Sequence, residues 1–314
     1  MEIIELSSEE YAQAFDKPYH IYNSAPFNRL NAYKAAQVYY LAFRDTKLRL
    51  GLIAGACEGQ LLSPFSAPFG GFQYLQADVK IAHIEESIAR LDEWAMNKGL
   101  HTIQIVLPPD IYHESFIVKQ FNSLLRSGYQ LAYADINYAF PLSKLNEHYL
   151  DSIWHNARKN YKKALSYGLE FLQLSFDKLE DAYGIIVANR AAKGYPLRMT
   201  LHQVLDTTRI VPMDGFVVKF ENTYIAAAIV SHVTHQIVQV VYWGDLPGFS
   251  EYKPINFLAY QLFNFYQAKG LQMVDIGPSS ENGTPNYGLC EFKESIGCMM
   301  SNKFTLIRKL TNHF

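Results

Sequence analysis

Cysteine is scarce in this chain of 314 residues, which contains only Cys57, Cys290 and Cys298. Three thiols cannot all pair, and their spacing fits neither a disulfide framework nor a metal site, so we expect neither. Charge is also modest, with 18% charged residues and a net charge of −2 at pH 7. Because this balance creates no general attraction for polyanions, we expect no DNA binding.

Long apolar runs are missing as well. No uninterrupted apolar stretch approaches the length of a membrane span, so no span is expected. The opening residues 1–5, Met-Glu-Ile-Ile-Glu, contain no basic leader before an apolar segment. They therefore predict no signal peptide, and a cytoplasmic location is expected.

What is present is typical of a globular protein. Hydrophobic residues make up 49% of the chain, and the tyrosine and phenylalanine counts are high, at 22 and 20. The length allows two domains, each large enough to bury its own core. The common catalytic signatures, a Gly-x-Ser-x-Gly elbow and a Walker loop, do not occur in the sequence.

Three pairs of segments repeat in the same order along the chain. Residues 43–53 match 220–230 at an offset of 177, and 98–105 match 269–276 at an offset of 171. A third match, 127–129 with 296–298, has an offset of 169. One repeat of this length indicates two fused domains, which we place at 1–142 and 143–314.

Each half has the same pattern of elements. Strand hairpins come first, followed by a helix, a buried strand and a second helix. The helices predicted over 81–97 and 254–268 are each followed by a stop glycine, Gly99 and Gly270. Strands alternating with helices in this way predict two mixed α/β (α+β) domains, each a twisted mixed sheet flanked by helices.

The two copies differ at one informative position. Close to the structural glycine of each copy, the first has Leu124, whereas the second has Lys293 on a short predicted helix. A charge acquired by one copy alone suggests that the second domain does the chemistry. The alternative is a solvated lysine paired with Glu291 or Glu294. If the role is catalytic, Lys293→Ala should abolish activity and leave thermal stability nearly unchanged.

A second candidate is Arg158, in a segment predicted to be one helix over 151–168. Trp154, Arg158, Tyr161 and Leu165 fall on one helix face. An arginine on an aromatic stripe requires an anionic partner or extends outward to solvent. Recognition of a ligand phosphate or carboxylate and an internal salt bridge both satisfy this pattern.

Other candidate residues follow predicted strands of the second half. Asp275 ends one strand, and Tyr242 and Trp243 end another, where ligand contacts tend to collect in α/β folds. The polar, glycine-rich loop 277–285 between Asp275 and the Lys293 helix is a candidate lid, or an ordinary surface connection. Two aromatic residues of that helix, Phe292 and Tyr287, are candidate substrate contacts.

Two stretches of the sequence resemble a known family. One is 154–168, with Trp154, the run Asn-Ala-Arg-Lys-Asn at 156–160 and Gly168; the other is 288–297, Gly-Leu-Cys-Glu-Phe-Lys-Glu-Ser-Ile-Gly. They are similar to the FemAB-type peptidoglycan bridge aminoacyltransferases and to related acyltransferase domains of polysaccharide biosynthesis. The tandem halves look like paired acetyltransferase-type (GNAT-like) folds. As architecture the resemblance extends over nearly the whole chain.

The resemblance implies an acyl transfer reaction. An amine on a cell-wall precursor would attack an aminoacyl ester that is delivered by tRNA. Lys293 would then hold the transferring end of the donor and stabilise the oxyanion, while Arg158 would grip an anionic group of the acceptor. The basic run at 158–163 is a candidate contact for tRNA phosphates, with a solvated helix face as the alternative. No bound cofactor and no metal are implied.

The sequence departs from the family in one region and leaves two other functions open. Residues 181–213 are too short, and too broken at 194–196, to form the coiled-coil arm of many bridge-forming enzymes. The runner-up is an acyl-CoA-dependent N-acyltransferase, although the Arg/Gln-x-x-Gly-x-Gly/Ala pyrophosphate turn is missing from 243–254 and from the Gly70-Gly71 region. The third possibility is a non-catalytic binding protein descended from such an enzyme, marked by a cleft that side chains block or by a Lys293 that points into solvent.

Overall fold

The structure is a computed structural model that describes residues 1–76 and 78–310. It divides into two compact units. Unit 1 comprises residues 1–136, 282–284 and 301–310, and unit 2 comprises 137–281 and 285–300. The boundary at 142/143 between the two sequence repeats stays a prediction.

The first part of the chain contains four α-helices and seven strands within the described residues. The helices are α1 (Ser8–Ala14), α2 (Ala25–Leu30), α3 (Ile81–Asn97) and α4 (Glu114–Arg126). The strands are β1 (Glu2–Leu6), β2 (Gln37–Arg44), β3 (Leu48–Cys57), β4 (Gln60–Ser63), β5 (Gln73–Tyr74), β6 (Thr102–Val106) and β7 (Gln130–Pro141).

The second part of the chain, as far as it is described, contains six helices and eight strands. The helices are α5 (Tyr149–Ser152), α6 (His155–Ser166), α7 (Leu179–Lys193), α8 (Leu201–Thr208), α9 (Pro254–Ala268) and α10 (Tyr287–Ser295). The strands are β8 (Glu170–Leu174), β9 (Met213–Phe220), β10 (Thr223–His232), β11 (Ile237–Asp245), β12 (Met273–Pro278), β13 (Ser280–Glu281), β14 (Thr284–Pro285) and β15 (Met299–Lys309).

The sheet of unit 1 has the strand order β1-β2-β3-β4-β6-β15, and β5 also pairs with β3. Strands β1 to β4 are antiparallel: β2, β3 and β4 are joined by short turns, and β1 pairs with β2 after α1 and α2. Strand β4 then pairs in parallel with β6, with Leu61 opposite Ile103. The crossover between these two strands contains α3, whose buried face includes Ile84, Ile88 and Leu91.

The sheet of unit 2 has the order β8-β9-β10-β11-β12-β7. Strands β8 to β11 are antiparallel, and β11 pairs in parallel with β12, with Val238 opposite Val274. Helix α9 forms the crossover between them. Helix α7 covers this sheet with a core that includes Leu179, Ile186, Val217 and Ile229. Apolar burial of this kind supplies the main stabilisation of each layer.

The two sheets have the same strand order and the same directions, so the prediction of two tandem α/β domains is confirmed. In each unit four antiparallel strands lead to a parallel pair and then to an antiparallel closing strand. The closing strand is β15 in unit 1, where Leu306 lies opposite Ile105. In unit 2 it is β7, where Phe140 lies opposite Val274. Each closing strand is thus distant in sequence from the strand with which it pairs: β15 is distant from β6, and β7 is distant from β12.

The helix predicted over 151–168 is wrong in its extent, because two helices occupy this segment. Ile153 has extended backbone angles, with ψ of 162°, and ends α5. Trp154 caps α6, and its amide donates to the carbonyl of Ser295 at 3.1 Å instead of to a preceding helical turn. A hydrogen bond to a segment distant in sequence has replaced the local helical one.

A buried leucine of β15 provides a test of the role of this strand as the closing strand of the unit 1 sheet. Leu306 is fully buried, and Leu306→Ala should lower the free energy of unfolding by about 2–5 kcal/mol through lost packing and a residual cavity. The measurement is urea denaturation followed by circular dichroism. Lys309→Ala, at an exposed position of the same strand, is the control and should change stability by less than about 0.5 kcal/mol. Equal effects of both changes would show that β15 is not a core strand.

Candidate functional site

Helix α10 begins at a well-formed cap directly after the loop that follows β12. The Asn286 side chain accepts a hydrogen bond from the Leu289 amide at 3.1 Å. The Asn286 amide itself donates to the carbonyl of Ser279 at 2.8 Å. Side chains such as asparagine satisfy the free amides of a first helical turn, which fixes where the helix starts. The cap therefore sets the position of every side chain on α10.

Lys293 lies on the buried face of α10 and is only 1% exposed. Its Nζ donates to the carbonyl oxygens of Ile276, Gly277 and Pro278 at 2.9, 2.8 and 3.1 Å. An ammonium group has three donors, so all three are used. The ammonium also lies 5.4 Å from the centre of the Tyr138 ring.

The three carbonyls are available because the strand pairing is interrupted at this point. Strand β12 pairs regularly with β7 up to Asp275, and the register shifts before pairing resumes at Pro278. Gly277, with φ of +73°, has the left-handed backbone that the turn requires. Buried carbonyls that leave a ladder need another donor, and Lys293 is that donor.

Burial lowers the pKa of Lys293 to about 8, while the negative charge of Asp275 opposes this shift. Removing a charged group from water favours its neutral form, which explains the direction. The side chain therefore remains mostly protonated at neutral pH. A lysine with a lowered pKa in a polar interior is a recognised feature of functional sites.

Asp275 is fully buried, and its carboxylate is held by three donors. Oδ1 accepts from Asn137 Nδ2 and from the Gly277 amide, both at 2.9 Å. Oδ2 accepts from Gln239 Nε2 at 2.7 Å. The predicted site residue Asp275 thus fixes the turn whose carbonyls bind Lys293.

The aromatic candidates take three different positions. Phe292 and Trp243 form an edge-to-face pair with ring centres 5.8 Å apart, and both are half-buried. Tyr242 is buried, its hydroxyl accepts from the Met199 amide at 3.1 Å, and burial raises its pKa. Tyr287 is 75% exposed at the start of α10. Phe292 and Trp243 therefore form an aromatic contact between α10 and β11, whereas the ring at the Lys293 ammonium is that of Tyr138.

Arg158 makes its contacts at the break between α5 and α6. Its Nη1 donates to Asp151 Oδ1 at 3.2 Å and to the Leu150 carbonyl at 3.4 Å. The side chain is 31% exposed and the Asp151 side chain 78% exposed. In this arrangement Arg158 has the internal salt bridge that the sequence left as one of two possibilities. Its role in substrate binding stays a prediction.

The sequence did not predict a role for one further residue of this region, Arg190. Arg190, on α7, lies with its guanidinium carbon 5.7 Å from the ring centres of both Tyr242 and Tyr195. The positive charge of Arg190 also disfavours the charged form of Lys293 and contributes to the lowered pKa of that lysine. No local motif marks Arg190, although stacked arginines of this kind often bind anions.

The described residues provide neither a metal-binding cluster nor a membrane-spanning helix. They contain no group of three or more histidine, cysteine, aspartate or glutamate side chains placed to hold a metal ion. Across the same residues, every helix is either too short or too polar to pass through a bilayer.

Comparison with known proteins identifies the fold. No family model and no curated protein sequence matches the chain. Among solved structures, FemX is similar with a TM-score of 0.70 at 14% identity, covering 99% of this chain and 98% of that one. L-PGS from Bacillus licheniformis follows with 0.60 at 13% identity, covering 98% and 94%. A tandem GNAT protein from the clavulanic acid biosynthesis pathway has 0.55 at 9%, covering 100% and 99%.

These likenesses confirm the predicted resemblance at the level of the fold. The chain has the architecture of FemX and of tandem GNAT proteins along its full length. At these identities the comparison concerns architecture alone and assigns no activity.

The burial of Lys293 revises the expectation that its removal would leave stability unchanged. Lys293→Met would leave three buried carbonyls without a donor, so we expect a loss of about 2–4 kcal/mol in the free energy of unfolding. Chemical denaturation measures this change. The control is Lys162→Met, at an exposed position of α6, which should have almost no effect. An unchanged midpoint for Lys293→Met would contradict the three-carbonyl arrangement.

Proposed function

We propose that this protein is a FemAB-type acyltransferase that moves an aminoacyl or acyl group onto an amine of a cell-wall or polysaccharide precursor. The observation that carries the proposal is the buried ammonium of Lys293, which the second repeat has and the first lacks. The resemblance of the Lys293 segment to the FemAB family gives this ammonium its proposed role. The full-length likeness to FemX supports it.

The proposed reaction is attack of the acceptor amine on the ester carbonyl of the donor. A carbon–nitrogen bond forms, and the carbonyl oxygen becomes an oxyanion. When this intermediate collapses, the carbon–oxygen ester bond breaks, and the amine proton ends on the leaving hydroxyl oxygen. A positioned ammonium beside the oxyanion contributes about 3 kcal/mol or more in a site that excludes water.

Lys293 would reach the oxyanion by exchanging one of its three carbonyl partners. The contact to Pro278, at 3.1 Å, is the longest of the three. Pro278 lies in the predicted lid 277–285, which also contains the short strands β13 and β14, so a shift of this segment on substrate binding would free one donor. Asp275 would keep the Gly277 turn in place during that exchange.

The other predicted residues have supporting roles in this proposal. Phe292 and Trp243 would form an aromatic wall for the transferring group, and Tyr287 would contact substrate at the exposed start of α10. An anionic group of the acceptor would have to displace Asp151 from Arg158. Because Asp151 is largely exposed, such an exchange costs little.

Aminoacyl-tRNA is the donor that the resemblance implies. The exposed lysines of α6 are candidate contacts for its phosphates, although few charges are available there. Charged tRNA and precursors of this kind are available in the cytoplasm, which we propose as the location.

Acyl-CoA is the second candidate donor. The likeness to a tandem GNAT protein over the whole chain favours it. A different loop would then have to bind the pyrophosphate, since the usual glycine-rich turn is missing from the sequence.

A donor comparison tests the proposed function directly. The full chain would be incubated with a peptidoglycan precursor bearing a free lysine amine and with either radiolabelled aminoacyl-tRNAs or labelled acetyl-CoA. Label on the acceptor from tRNA supports the first proposal, and label from CoA supports the second. Failure with both donors, while the precursor still binds, would identify a non-catalytic descendant.

The alkaline limb of the rate profile gives a further prediction. Because oxyanion stabilisation requires the ammonium, kcat/KM should fall as pH rises through about 8, the pKa of Lys293. Lys293→Arg keeps its charge at higher pH, so this limb should disappear, even at a lower absolute rate. Lys309→Arg, at an exposed position of β15, is the control and should keep the wild-type profile. A limb that persists unchanged in Lys293→Arg would assign the titration to another group.

A further inference from the structure

Arg190 differs from every other arginine of the chain in its electrostatic environment. The remaining nine each have a carboxylate within salt-bridge distance: Arg29, Arg44, Arg49, Arg90, Arg126, Arg158, Arg198, Arg209 and Arg308. Within the described part of the chain, Arg190 has no such partner and makes no hydrogen bond. Its Nε is buried and unpaired.

An unpaired arginine is unfavourable in such a half-buried position. Burial lowers its pKa, and a buried charged donor without an acceptor loses the solvation that it had in water. Asp245, at the end of β11, does not relieve this, because its carboxylate binds Asn189 and Lys193 instead. A bound anion would supply the missing acceptor.

The guanidinium is held in a defined orientation. It lies between the rings of Tyr195 and Tyr242, 5.7 Å from each centre. Both rings are anchored: Tyr242 accepts from the Met199 amide, and Tyr195 accepts from the Asn286 side chain at 3.2 Å. Asn286 is also the cap of α10, so the arginine is tied to the helix that carries Lys293. Little conformational freedom remains to be lost when an anion binds.

The local charge favours an anion as well. Arg190 and Lys293 are close enough for the positive charge of the first to disfavour that of the second. Asp275, the carboxylate that interacts with Lys293, already accepts from Asn137, Gln239 and the Gly277 amide. Arg190 as a whole is half-buried, so part of the residue remains accessible to solvent. The positive charge of Arg190 thus adds to that of Lys293, while Asp245 and Asp275 are already bound by other donors.

We propose that Arg190 binds an oxyanion group of a substrate, a carboxylate or a phosphate, at the site that contains Lys293. A planar guanidinium offers paired donors whose spacing matches two oxygens of such a group. The inference rests on the proposed function for the identity of the substrate. The anion site itself is defined by Arg190, Tyr195 and Tyr242 and can be tested without any transfer reaction.

The binding test uses nuclear magnetic resonance of the full chain with 15N-labelled arginine side chains. The buried Nε–H of Arg190 should give a slowly exchanging signal, assigned by its loss in Arg190→Gln. Sodium phosphate and sodium acetate would be titrated separately at constant ionic strength with sodium chloride. We expect a saturable shift of this signal with at least one anion. A response to phosphate alone indicates a phosphate ligand, and a response to acetate alone indicates a carboxylate.

Two variants make the test specific. Arg198 lies on the segment that follows α7 and pairs with Glu281, so Arg198→Gln should bind the anion as wild type does. Arg190→Lys keeps the positive charge but lacks the paired N–H donors of a guanidinium. Its affinity for the anion should be at least about tenfold weaker than that of the wild type. Thermal denaturation confirms that each variant is folded. No saturable shift with either anion, or equal weakening in Arg198→Gln, would overturn the proposal.

A kinetic arm separates this inference from the proposed function. If transfer is detected, Arg190→Gln should raise KM for one substrate at least about tenfold and change kcat much less, because a binding contact is removed. If the anion binds but neither acyl donor supports transfer, the anion site at Arg190 is supported and the proposed transfer reaction is contradicted. An unchanged KM for both substrates, with transfer intact, would count against Arg190.

Discussion

The contact between the Lys293 ammonium and the carbonyls of residues 276–278 holds the end of β12 and helix α10 together in unit 2. It replaces a stretch of strand pairing, fixes α10 against the end of β12 and places a positive charge in a dry environment. Asp275 compensates part of that charge from the neighbouring turn. Burying an ammonium is unfavourable because it loses its hydration. The loss is normally offset only where hydrogen-bond acceptors and a counter-charge surround the group. Structure and proposed reactivity therefore depend on the same side chain.

The two units show how duplication and divergence combine in this chain. Their sheets have the same order and directions, which preserves the core in both. Where the first copy has Leu124, the second copy surrounds Lys293 with a buried aspartate, two amide side chains that hold it and a turn whose buried carbonyls have left the strand ladder. A charged residue cannot enter a core alone, and these neighbours are the physical reason.

Much of the fold could be predicted from local patterns. The apolar spacing and stop glycines predicted α3 and α9 with the bounds that the structure has, and the matched segments predicted the duplication. The break at Ile153 could not be predicted, because it depends on a hydrogen bond from Trp154 to Ser295. For the site, Lys293 stood out as a difference between the repeats. Arg190 did not stand out in the sequence. Its proposed role rests on the absence of a hydrogen-bond partner at Nε, which only the three-dimensional structure shows.

The position of β15 has a consequence for how the protein is made. The sheet of unit 1 is completed by a strand that lies near residue 306, although the rest of that sheet is encoded before residue 110. During synthesis, the edge of β6 is therefore not covered by β15 until residues 299–309 have been made. Exposed strand edges promote association between chains, and non-local pairing forms slowly. Nascent unit 1 is thus the part of the molecule for which protection by a chaperone would matter most.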